Sequence, residues 1–197
     1  MRYDAQHKQE TRRKVVKAAA RAIRAEGPFK VGVAGVMARA GLTHGGFYAH
    51  FASKDELVAA GIGQMFDDGR GRLERETENR APAAALVAYI DFYLSAEHRD
   101  ARSTGCPLPF LAADAPRLPG PARERFAQGV ADLSARLATH LEAIGRPDPV
   151  AEARSLLAEM VGALSLARAD PDTDRSDAIL ATSRAALKAR FSLETAP

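Results

Sequence analysis

The chain contains no tryptophan, a single cysteine (Cys106) and only 6% aromatic residues. One cysteine cannot close an intramolecular disulfide, which excludes a stapled secreted scaffold and fits a reducing compartment. Few aromatics beside abundant Ala and Leu favour helices over pleated sheet. No apolar run approaches the ~18 residues from which a membrane-spanning helix is read. The opening residues Met1-Arg2-Tyr3-Asp4-Ala5-Gln6-His7 lack the apolar centre of a secretory signal. The expectation is therefore a cytoplasmic protein with no membrane partner. The histidines His7, His44, His50, His98 and His140 show neither HxxxH nor HExxH spacing, so no metal site and no cofactor are expected. Internal repeats, low-complexity tracts and long linkers are absent as well.

What is present is a chain of 197 residues, 46% of them hydrophobic, enough to bury a core as one domain or as two small ones. Its net charge of +3 hides an asymmetry: through Lys54 eleven Lys and Arg face three Asp and Glu, whereas from Asp55 onward seventeen basic residues face twenty-two acidic ones. A basic head on an acidic body is the electrostatic footprint of a nucleic-acid reader with a separate effector part. The plainer alternative is a solvated basic helix face.

Within the basic part, Val33, Val36, Met37 and Ala40 recur at helical spacing, and Gly41 supplies a tight turn. A second short helix is predicted over Thr43–His50, with Thr43 as its cap. Phe47 and Phe51 make its buried side, and Thr43, His44, Gly45, Gly46 and Tyr48 its open side. Consecutive glycines cost a helix about 1 kcal/mol each relative to Ala, so their presence suggests that something must come close. A helix entering the major groove needs short residues for base edges and polar tips for phosphate oxygens. Ser53-Lys54-Asp55-Glu56 then reads as a capping box, in which Glu56 reaches back to Ser53 at the start of the next helix. Lys54 sits in that first turn, where its charge opposes the helix dipole and a phosphate would relieve the conflict.

The segment from Val33 to Leu57, with Ala40-Gly41-Leu42-Thr43, Phe47-Tyr48, His50-Phe51 and Lys54-Asp55-Glu56-Leu57, resembles the DNA-binding domain of the TetR family of bacterial transcriptional regulators. The resemblance implies an all-α fold. A three-helix helix-turn-helix domain would occupy residues 1–53 and a helical ligand-binding and dimerisation domain residues 54–197. It further implies a double-stranded DNA operator, a small-molecule effector and a homodimer. By the same resemblance Thr43, His44 and Gly45 lie nearest the bases and Tyr48 and Lys54 on phosphate; Lys30, Gly46 and His50 complete the DNA-binding set. His50 also has a packing reading, beside Phe51. In place of the Ser or Thr usual before the first motif helix stands Gly32, a weaker cap.

The rest of the chain reads as helices. The first is predicted from near His7 to Glu26, with Val15, Val16, Ala19, Ala20 and Ile23 buried and its N-terminal Arg and Lys free to reach phosphates. A long helix from Lys54 to about Arg72 carries Gly61, Gly63, Gly69 and Gly71; they either loosen a signal-transmitting helix or permit close packing. Pro82 opens a helix ending around His98–Arg102, Pro107 is placed at the first position of a short one, and Phe126 to Ile144 form a clear amphipathic helix. The last two helices present broad apolar faces, including Leu164 and Leu187, which the resemblance implies form the dimer interface.

Apolar faces suggest Met65, Phe66, Tyr89, Tyr93, Phe110 and Met160 for a ligand site, each also readable as plain core. Cys106 joins this set. Gly105-Cys106-Pro107 places the sulfur at a helix start, where open N–H groups favour thiolate, with His98, Arg99 and Arg102 adding positive charge. The Gly-Cys pair resembles a subset of the family that responds to electrophiles. A buried apolar filler is the alternative role. The function expected is a ligand-responsive regulator, a repressor released by an apolar or electrophilic inducer, with no enzymatic activity. The alternatives are a Cys106-dependent enzyme using His98 or His140 and a constitutive DNA-binding protein without ligand.

Overall fold

The computed structural model describes residues 2–193, with side chains from Gln6 onward. In chain order its elements are α1 (Arg2–Glu26), α2 (Val33–Arg39), a 3₁₀ turn (His44–Ala49), α3 (Lys54–Thr77), α4 (Pro82–Tyr93), α5 (Ala96–Asp100), α6 (Leu108–Leu111), a second 3₁₀ turn (Ala115–Arg117), α7 (Gly120–Ala143), α8 (Pro149–Ala169) and α9 (Thr173–Arg190). The fold is all-α, with no strand among the described residues. By contact the chain groups into two compact units, residues 1–68 with 111–129 and residues 69–110 with 130–197. All three boundaries fall inside helices, α3, α6 and α7, so this grouping does not bear on a functional division at residues 53 and 54.

In the first unit α1 buries the expected stripe of Val15, Val16, Ala19, Ala20 and Ile23. It begins at Arg2 rather than near His7, because residues 2–6 contain no Gly or Pro to stop it. It ends at Gly27, which adopts φ +84°. Gly32 precedes α2 without any side-chain cap bond, and Val36 and Met37 fix that helix to the core. Gly41, at φ +74°, makes the turn; the Leu42 N–H donates to the Met37 carbonyl at 2.9 Å and closes it. The left-handed conformation there favours a residue without Cβ.

The segment after the Gly41 turn is a 3₁₀ turn rather than the α-helix expected over Thr43–His50. Thr43 makes no side-chain cap bond, and the turn starts with the Gly46 N–H on the Thr43 carbonyl at 3.2 Å. Adjacent glycines weaken the α-helical preference, and tertiary packing sets the tighter form. Phe47 and Phe51 are each 2% exposed and stack 5.7 Å apart. Truncating either to Ala costs about 3–5 kcal/mol, so these rings anchor the turn. The capping box is present with one shift: the Glu56 N–H donates to Ser53 Oγ at 3.1 Å, while Glu56 Oε2 accepts the Ala52 N–H at 2.7 Å. Of the four glycines of α3, read as either loosening the helix or permitting close packing, Gly61 serves packing, since an added Cβ would lie 2.8 Å from Ile23 Cδ1.

In the second unit α3 continues to Thr77, past the expected end at Arg72, extended by the ion pair Arg72–Glu76 at 2.7 Å. The helix opened by Pro82 stops at Tyr93 rather than near His98–Arg102. Ser95 is the reason: its hydroxyl donates to the Phe92 carbonyl at 2.7 Å and accepts the His98 N–H at 3.1 Å, ending one helix and capping α5. Asp148 and Asp172 cap α8 and α9 in the same way. Leu164 and Leu187, expected on a dimer face, are fully buried within the chain itself. The large apolar side chains that α8 leaves uncovered are Leu166, 63% exposed, and Val150, 51% exposed, in its first turn.

Candidate functional site

The DNA-binding candidates fall on the surface of the first unit. Lys30, Thr43, His44, Gly45 and Lys54 are exposed, Gly46 and His50 half-buried, and Tyr48 is 75% exposed despite its aromatic ring. That ring leans edge-on against Phe47, with centroids 5.2 Å apart, so the buried anchor orients the exposed phenol. Among the described residues the side chains of Thr43, His44 and Tyr48 make no hydrogen bond. Gly45 has nothing within 4 Å of where a Cβ would stand, and neither it nor Gly46 has positive φ. The fold itself therefore does not require a missing side chain at Gly45. Lys54 Nζ donates to the Phe29 carbonyl at 3.3 Å, tethering the first turn of α3 to the loop before α2. His50 is held below its usual pKa by burial, then by Lys8 and Arg12, and its Nδ1 is buried without a partner.

The effector candidates divide between the units. Met65 and Phe66 belong to the first, where Met65 is fully buried and Phe66 packs edge-on against Phe126 at 5.7 Å. Tyr89, Tyr93, Cys106, Phe110 and Met160 belong to the second. Tyr89 and Tyr93 are buried with ring centroids 5.9 Å apart, while Cys106 and Phe110 are half-buried. Burial first and the Cys106 thiol second push both phenols well above their usual pKa, so the two hydroxyls keep their protons.

His98 organises this corner. It is 3% exposed, its Nδ1 lies 2.8 Å from the Tyr93 carbonyl, and the Cys106 backbone N–H donates to its Nε2 at 3.1 Å. An amide is an obligatory donor and a carbonyl an obligatory acceptor, so the ring is neutral with the proton on Nδ1. Burial pulls its pKa down to about 4, helped by Arg168 and Arg72 against the Tyr93 carbonyl. The positive charge expected from His98 beside Cys106 is therefore absent. Arg99 is also occupied, bonded to Asp100 at 2.8 Å, Asp177 at 2.5 Å and Ser176 at 2.9 Å. A cation that does act on Cys106 is Arg168, whose guanidinium donates to the His98 and Arg99 carbonyls at 2.8 and 3.0 Å. It lies sixty-two residues beyond Cys106, and no local pattern marks it. Pro107 precedes α6 rather than opening it, and α6 has only four residues, too short for an appreciable dipole.

Among the described residues no group of three His, Cys, Asp or Glu could hold a metal ion, and no helix is long and apolar enough to cross a membrane. Residues 15–60 match the family model for bacterial regulatory proteins of the tetR family, and residues 82–187 match that for the tetracyclin repressor-like C-terminal domain. The chain belongs to the TetR family of transcriptional regulators. It carries that family's helix-turn-helix DNA-binding domain and helical C-terminal domain. No curated protein matches it. Among solved structures it is similar to a TetR transcriptional regulator from Chloroflexus aurantiacus J-10-FL, at 25% identity over 95% of this chain and 96% of that one, with TM-score 0.79. The reduced form of NemR from E. coli shares the fold at 21% identity, TM-score 0.79, covering 91% and 96% of the two chains. A regulator from Cytophaga hutchinsonii does so at 19% identity, TM-score 0.79, covering 93% and 96%.

Proposed function

We propose that this TetR-family regulator works in the cytoplasm as a homodimeric repressor. It reads a palindromic operator through the His44–Ala49 turn and is released when a small molecule occupies its helical body. The observation that carries the DNA reading is the open face of that turn. Gly45 lacks a side chain that the fold would accommodate, beside polar side chains that make no hydrogen bond among the described residues. Thr43, His44 and Gly45 approach bases, Gly46 lets the turn sit close, and Lys30, Tyr48, His50 and Lys54 serve phosphate.

Selection of bound fragments from a genomic pool yields the operator, and titration with Tyr48→Phe plus Lys54→Ala tests the docking. Affinity unchanged in that double variant refutes it. One turn contacts too few bases for selectivity, so two copies read half-sites about 34–36 Å apart. Exposed Leu166 supports α8 as part of the dimer face. Leu166→Glu is expected to yield a monomer by sedimentation, and a wild-type monomer at micromolar concentration overturns the dimer.

For the effector, the half-buried Cys106 beside the Arg168 charge and two protonated phenols supports an electrophile-responsive site. Operator release by N-ethylmaleimide in wild type but not in Cys106→Ser supports that reading. Equal release in both makes Cys106 a wall for a reversible apolar ligand. The enzymatic alternative is disfavoured in its His98 form because both ring nitrogens of His98 are committed to backbone groups, which removes that imidazole as a base for the thiol.

A further inference from the structure

Arg12 lies in the run of basic residues on α1 that reads, from sequence, as a phosphate-contacting stripe. Its guanidinium is instead engaged within the fold. Nε donates to the His50 carbonyl at 3.4 Å, Nη2 donates to Glu56 Oε1 at 3.3 Å, and the guanidinium carbon lies 4.7 Å from the centroid of the Phe51 ring. The His50 carbonyl is the group left over at the end of the 3₁₀ turn. Glu56 carries the connection onward, since its other oxygen accepts the Ala52 N–H at 2.7 Å. One fork on α1 thus holds the end of the recognition turn and the start of α3 together, and the Phe51 ring beneath it is itself immobilised in the core.

We propose that the Arg12–Glu56 pair is a strut that sets the angle of the recognition turn, so that Arg12 supports operator binding as a positioning residue without contacting phosphate. A carboxylate on a DNA-facing domain repels the polyanion, and its presence at Glu56 is accounted for by this internal role. The geometry asks for arginine. A fork reaches a carbonyl and a carboxylate at once, whereas a lysine ammonium is a single compact charge that serves a phosphate equally well. The proposal rests on the reading of His44–Ala49 as the DNA-contacting turn.

The test uses the full chain and its selected operator, titrated at several salt concentrations, with folding followed by circular dichroism melting. Arg12→Met is expected to weaken binding about fivefold to tenfold while leaving the slope of log affinity against log salt unchanged. Arg12→Lys should not restore the affinity. Glu56→Gln keeps an acceptor for the Ala52 N–H, so α3 stays capped. It should nevertheless weaken binding, although loss of a negative charge beside DNA would by charge alone strengthen it. The double variant should bind no more weakly than Arg12→Met alone. A slope shallower by about 0.9 in Arg12→Met, full affinity in Arg12→Lys, or tighter binding by Glu56→Gln would make Arg12 a phosphate contact and overturn the strut. Wild-type affinity in all three variants also overturns it while Tyr48 and Lys54 remain needed. If the Tyr48 and Lys54 replacements are silent, the docking reading itself fails.

Discussion

In the turn His44–Ala49 the polar side chains face outward and bond to nothing within the described chain, while around His98 both ring nitrogens and the neighbouring arginines are committed to internal partners. The two regions use comparable residues to opposite ends. Exposed groups that keep their full bonding capacity can be satisfied by another molecule. Groups satisfied inside fix tautomer, charge and local shape, and they respond to solvent only when the corner opens.

The strongest way to break this comparison is to fill the open face. Gly45→Leu should lower operator affinity by up to about a hundredfold, the loss of one close groove approach. It should leave the melting temperature equal or higher, because nothing lies within 4 Å of the new Cβ and the glycine's backbone freedom is removed. A fall in stability comparable to the fall in affinity would mean that the glycine serves the fold.

The closed corner is tested by pH. His98 titrates at about 4 in the folded chain against 6.5 in the unfolded one, so between these values the unfolded chain binds more protons. Stability from this group is fully present above pH 6.5 and is lost as pH falls toward 4, by about 2 kcal/mol at pH 5. Chemical denaturation at pH 7 and pH 5 measures it, and His98→Gln should remove most of the dependence. An unchanged pH slope in that variant refutes a neutral buried imidazole as its source. DNA contacts in the open turn should show no such link to folding.

A smaller effect sharpens the open side. Lys54→Ala should weaken all DNA sequences about equally, by about fivefold, and flatten the salt slope by about one unit. A change confined to one base position would move Lys54 from phosphate to base reading. The smallest expected effect is internal. Ser95→Ala removes the α5 cap at a cost of about 1 kcal/mol and leaves operator affinity untouched, as read from melting and titration together.

The periodic stripe of α1, the stop at Gly27, the turn at Gly41 and the Phe47–Phe51 anchor were legible in the sequence because each is governed by residues a few positions apart. So was the family, carried by the spacing from Ala40 to Leu57. Less legible was the kind of helix at His44–Ala49, because packing of Phe47 and Phe51 decides it over local preference. The hydroxyl of Ser95, which splits α4 from α5, looks like any serine in a helical stretch until its two backbone partners are known.

Within the candidate sites the division is similar. Exposure of Thr43, His44, Gly45 and Tyr48 follows from the apolar partners that turn Phe47 and Phe51 inward, so the pattern alone reveals it. The charge near Cys106 did not follow. His98 and Arg99 are neighbours in sequence, yet one is neutral by burial and the other is bonded to Asp177, seventy-eight residues on. Arg168 acts on Cys106 from a different helix, and Arg12 meets Glu56 across forty-four residues. Sequence by itself determined the helical periodicity, the turns at Gly27 and Gly41 and the outward face of the segment after them, because backbone sterics and hydrophobic periodicity act over one or two turns of helix. Tertiary structure alone decided which charges are neutral, paired or poised, because desolvation and Coulomb energy depend on distance in space rather than along the chain.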